Sequence, residues 1–132
     1  MQLSKFTDYT FRALIYLAMH QEELCTVEQL AMALNVSEHH LKKVIHKLAK
    51  TDYVTSIKGR MGGLKLGVAP KEINLGKVLM ITEDNLNIVE CLNKDCVCEF
   101  MNSECKLKNI VQSSLNKFIE EFANYTLEDI LP

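Results

Sequence analysis

Residues 26–50 constrain the fold more than any other stretch. Thr26-Val27-Glu28-Gln29 is a capping-box pattern, in which the Thr26 hydroxyl caps a helix start and Gln29 reaches back. The short helix it opens carries Leu30, Ala31 and Leu34. Asn35-Val36 then turns the chain. Ser37 caps a further helix whose Leu41, Val44, Ile45 and Leu48 share one apolar face. Two short helices joined by so small a turn are a helix-turn-helix. After Lys50 the period changes. Residues 53–58 and 64–68 read as strands flanking the glycine-rich turn Gly59-Arg60-Met61-Gly62-Gly63. A hairpin directly after a helix-turn-helix is a wing, and Pro70 closes the unit.

The flanks are helical. Phe11, Leu14, Ile15 and Ala18 predict a first helix over about residues 4–20. A helix over about residues 74–84 turns Leu75, Val78, Leu79 and Thr82 inward. Leu107, Ile110, Val111, Leu115, Phe118, Ile119 and Phe122 repeat at spacings of three and four, which predicts a long amphipathic helix ending near Asn124. A short helix over residues 127–131 follows. In a chain of 132 residues the long helix has no obvious partner, so a homodimer is expected to bury its stripe. Folding back onto its own winged helix is the alternative. The expected fold is mainly α with a small β wing: a winged helix-turn-helix in residues 1–70, then a cysteine-bearing dimerisation region in residues 71–132. A hydrophobic fraction of 48% fills a core and excludes disorder. The chain has neither a membrane-spanning apolar run nor a signal-peptide pattern, so a cytoplasmic protein is expected.

The net charge of -2 hides an asymmetry: residues 1–70 carry +3 and residues 71–132 carry -5. A basic half beside an acidic one suits a nucleic-acid reader with a separate control segment. Opposite the apolar face of the Ser37-capped helix stand His39, His40, Lys42, Lys43, His46 and Lys47. A recognition helix needs this arrangement, with apolar residues to dock it and donors to reach double-stranded DNA. Ser37, His39 and His40 lie at the end expected deepest in the major groove, and Lys42, Lys43 and Lys47 are expected at phosphates. At the wing tip Lys58 and Arg60 flank a glycine, which suits close approach to a groove, Arg60 to the minor one.

Of five cysteines, Cys25 reads as a small buried filler. Cys91, Cys96, Cys98 and Cys105 fall within fifteen residues, and in a reducing compartment such a cluster points to metal or redox chemistry. Tetrahedral zinc in an interaction module and metal-free thiol–disulfide sensing are both open to four thiols. An enzyme finds little support: His20, His39, His40 and His46 all lie in the helical N-terminal part, none has an evident carboxylate partner, and no phosphate-cradling loop is present.

Several stretches together resemble the Rrf-type winged-helix transcriptional regulators over nearly the whole chain. They are Met1-Gln2-Leu3 through Thr7-Asp8-Tyr9, Arg12 through Ala18, Asn35-Val36-Ser37, Lys58-Gly59 with Gly62-Gly63 and Leu66, Ile73 through Val78, and Cys105-Lys106-Leu107-Lys108. A glycine frequent before the wing is absent here, where Thr51-Asp52 stand. The resemblance implies a DNA-binding repressor whose three loop cysteines hold an iron–sulfur cluster, a four-iron centre being favoured over a two-iron one. In the family's nitric-oxide-sensing branch a carboxylate near the N-terminus of the second subunit supplies the fourth ligand. Asp8 matches it, with Arg12 one helical turn on. A branch linked to cluster assembly uses a histidine three residues after the last cysteine, where this chain has Lys108. The resemblance therefore implies Cys91, Cys105, Asp8 and either Cys98 (favoured) or Cys96 as ligands, and nitric oxide as the signal.

Overall fold

The computed structural model describes residues 1–100 and 105–132. Helices α1 (Lys5–Met19), α2 (Val27–Leu34) and α3 (Glu38–Leu48) precede a hairpin of β1 (Val54–Ile57) and β2 (Gly63–Leu66). A 3-10 turn, Pro70–Glu72, leads into α4 (Leu75–Thr82). Another, Glu90–Leu92, lies in the cysteine segment, before the long α5 (Lys106–Ala123) and a last turn, Glu128–Ile130. The mainly helical winged architecture read from the sequence is the one observed.

The two expected caps form: Thr26 and Gln29 close a reciprocal capping box at 3.1 and 2.9 Å, and Ser37 caps α3. Ser4, which was not among the expected caps, accepts from Thr7 N–H at the start of α1. Asn35 takes the left-handed conformation (φ 52°) that lets α2 stop and α3 start three residues later. In the wing, β1 and β2 pair antiparallel from Val54↔Leu66 to Ile57↔Gly63. The tip needs its glycines. Gly59 has φ 110°, and a Cβ on Gly62 would lie 2.0 Å from the Ile57 carbonyl oxygen.

Leu14, Leu17, Leu30, Leu41 and Leu48 form the fully buried centre, and Val54, Leu64 and Leu66 of the wing join them. Cys25 is buried as expected, but its backbone also exchanges two hydrogen bonds with Leu64, at 3.1 and 2.8 Å. The wing is thereby sewn to the loop ahead of α2. The core also crosses residue 70: Ile73, Leu75, Val78 and Leu127 belong to it.

The long helix folds back over part of its length, at its C-terminal end. Phe122 packs on Phe11 at 5.9 Å between ring centres, Asn74 Nδ2 donates to the Ala123 carbonyl at 2.8 Å, and Gly76 lets α4 approach Ala123 so closely that a Cβ would sit 2.8 Å from its Cα. The chain end is then tied by Leu127 N–H donating to the Ile73 carbonyl at 2.8 Å. Farther up, Leu107 and Ile110 are 67% and 62% exposed, and Phe118 is 37% exposed. That part of the stripe is bare in a single chain.

Candidate nucleic-acid interface and cysteine segment

The apolar face of α3 (Leu41, Val44, Ile45, Leu48) is buried, which turns the opposite face outward by helical geometry alone. Ser37, His39, His40, Lys42, Lys43 and His46 are all exposed there. Ser37 is engaged as the cap, accepting from His40 N–H at 3.4 Å. The His40 ring lies 6.1 Å from that of Tyr9 and 6.2 Å from that of His39. Lys42 is drawn along its own helix to Glu38 at 2.9 Å. The hydrogen bond to Glu38, followed by the attraction of its charge, raises the lysine's pKa above its ordinary value. Lys58 and Arg60 are exposed beside the wing tip.

Lys47 departs from the sequence expectation of a residue directed outward. It is half-buried, 3.4 Å from Asp84 Oδ1, with its ammonium 5.5 Å from the centre of the Phe6 ring. Lys50, which was not among the residues expected at DNA, lines the same cleft as Lys43 and His46.

At the exit of α4 a second polar group joins two helix ends. Glu83 Oε1 accepts from Ser4 N–H at 2.8 Å and from the Thr7 hydroxyl at 2.6 Å, and Thr7 Oγ1 lies 2.8 Å from Thr82 Oγ1. Burial pushes the Glu83 carboxyl upward. The Thr7 and Ser4 donors outweigh it and hold the carboxyl below its ordinary range. This clamp ties the start of α1, where Asp8 sits, to the entry of the cysteine segment.

Cys91 and Cys96 are half-buried, Cys98 is exposed, and half-buried Cys105 stands at the N-cap of α5; all are free thiols. Burial, then the neighbouring sulfurs of Cys91 and Cys98, raise the Cys96 thiol's pKa, with Lys108 opposing. Cys96 thus lies within electrostatic reach of both Cys91 and Cys98. The start of the segment is shaped by Asn93 Oδ1, which accepts from Asn85 and Asn87 at 3.2 and 3.0 Å. Asp8 is paired with Arg12 at 2.9 Å on the half-exposed surface of α1. Among the described residues, no three His, Cys, Asp or Glu side chains of one chain converge on a common metal position. The donor chemistry nevertheless fits an iron–sulfur centre: four reduced sulfurs lie within fifteen residues, none of them consumed in a disulfide.

Residues 3–132 match the Rrf2 family, described as an iron-dependent transcriptional regulator. The chain is 42% identical over 132 residues to the HTH-type transcriptional regulator NsrR of Halalkalibacterium halodurans, covering 99% of this chain and 90% of the relative. It is 39% identical to NsrR of Bacillus subtilis, covering 99% and 90%. Among solved structures it resembles CymR, the global cysteine regulator of B. subtilis, with a TM-score of 0.76 at 27% identity, covering 98% of this chain and 95% of that one. T. potens IscR, at 23% identity and TM-score 0.77 over 98% and 85% of the two chains, supports the fold alone.

Proposed function

The chain belongs to the Rrf2 family of transcriptional regulators, and on that footing we propose that it is a dimeric DNA-binding repressor that senses nitric oxide through an iron–sulfur centre in its cysteine segment. The observation that carries the proposal is one of connection. An exposed basic helix face and a basic wing tip are carried by one core that includes Leu75 and Val78 of α4, and the exit of α4 leads directly into the segment bearing four free thiols. The similarity to regulators named NsrR supports the signal.

In this reading residues 1–70 meet DNA and residues 71–132 sense and pair. Ser37, His39 and His40 approach bases. Lys42, Lys43 and, when released, Lys47 approach phosphates, as Lys58 and Arg60 do from the wing. The bare stripe of α5 packs against a second copy, which fixes the distance between the two α3 helices. Cys91, Cys105 and either Cys98 or Cys96 would hold the cluster, with Asp8 of the second copy as the oxygen ligand. Bound there, it would supply an iron with a labile carboxylate position, open to nitric oxide. What the chain contributes is a route out: Asp8 is adjacent to Thr7, and Thr7 is clamped to Glu83. Any shift of α1 or of the segment entry is therefore felt by the helix packed beside α3.

The experiment is anaerobic iron and sulfide analysis of the intact chain, with binding to bacterial promoter DNA measured before and after nitric oxide. A brown protein that loses affinity on nitric oxide is the expected result. Iron-free protein that cannot be reconstituted would leave the metal-free thiol reading, for which the proximity of Cys91, Cys96 and Cys98 speaks. Cluster loss without a change in binding would remove the signalling role.

A further inference from the structure

Of the lysines on α3, the half-buried one is tied to the first residue after the Glu83 clamp. Lys47 is paired with Asp84 at 3.4 Å and rests over Phe6. Its neighbours differ. Lys42 pairs within its own helix, while Lys43 and His46 are exposed and make no ion pair among the described residues. A cleft of about 610 Å³ separates α3 from the exit of α4, with Lys43, Lys47 and Lys50 on one side and Asp84 and Asn85 on the other. Lys47 therefore has room to leave Asp84 for solvent.

Asp84 is not held by burial, since its side chain is 93% exposed. What places it is the residue before it, pinned to Ser4 and Thr7. Immediately after it comes the segment carrying Cys91, Cys96, Cys98 and Cys105.

We propose that Asp84 is a built-in competitor of DNA phosphate for Lys47, so that the strength of the DNA-facing surface depends on how residue 84 is held at the entry to the cysteine segment. The inference rests on the DNA-binding reading above and adds a regulatory element to it. An exposed lysine–carboxylate pair is weak, so a phosphate of the duplex can displace it. Each phosphate that a lysine neutralises releases counterions and steepens the salt dependence of binding. While Asp84 holds Lys47, that contact is withheld.

The test measures dissociation constants of the full chain for a mixed-sequence B-DNA duplex by fluorescence anisotropy across a salt series. Wild type, Asp84→Asn, Lys47→Gln and the double variant are compared, with circular dichroism confirming that each is folded. Asp84→Asn should tighten binding about threefold to tenfold at low salt and steepen the slope of log K against log salt by about 0.9, one further phosphate. In the Lys47→Gln background the same substitution should change neither. Unimproved binding by Asp84→Asn, or an equal gain without Lys47, overturns the competitor and leaves the DNA-binding reading standing. A wild type with no salt-dependent binding to any duplex overturns both.

Discussion

Glu83 carries more of the tertiary structure than its place in the sequence suggests. One carboxylate receives donors from both Ser4 and Thr7, across about eighty residues of chain. Hydrogen bonds to a charged acceptor contribute about 1.5–3 kcal/mol each when well shielded, so Glu83→Gln should cost about 1–2 kcal/mol at this half-buried site in urea unfolding. The pH dependence has a definite sign. The folded carboxyl titrates below its ordinary value of 4.5. Its contribution is therefore complete above that value and disappears as pH falls through the lowered one. The stability gap between wild type and Glu83→Gln should shrink in acid, and a gap that stays constant would show that the charged form is not the acceptor. Cys25 teaches a related lesson. Its small apolar character marked it for burial, yet nothing local announced that its backbone would bridge to Leu64.

At the scale of elements, α3 was legible almost in full. An N-cap, an apolar face and the basic face opposite are properties of one helix, and one helix is what a spacing of three and four specifies. If its outward face meets phosphates, Lys43→Gln should weaken binding to all duplexes alike and lower the salt slope by about 0.9. A loss confined to one sequence would instead place Lys43 at a base. The C-terminal turn was less legible. Leu127 sits in a short, mostly polar tail, yet it is fully buried in the core beside Ile73. Leu127→Ala should cost about 2–5 kcal/mol by leaving a cavity there, as read in thermal or urea unfolding. A change under 1 kcal/mol would mean that the tail is not docked in solution.

At the scale of the whole molecule, α5 splits its apolar stripe between two uses. The Phe122 end closes on α1 and α4, whereas Leu107 and Ile110 face solvent. If a second copy covers that upper part, Ile110→Lys should shift sedimentation toward monomer while leaving the helical spectrum intact, and DNA affinity should fall with loss of the second α3. A variant that remains a dimer would place the interface elsewhere.

What the amino-acid order determined by itself was everything carried by short-range repetition: the caps, the two-helix turn, the glycine tip of the wing, the outward basic face and the clustering of four cysteines. These depend on neighbours within a few residues, and the backbone repeats every 3.6 or 2 residues wherever the elements end up. Only the tertiary structure decided which distant groups meet: Lys47 with Asp84, Thr7 with Glu83, Cys25 with the wing, Leu127 with the core. Such pairings follow from how helices pack around a shared interior, and polar residues that form them look like any other solvated residue until that packing is known.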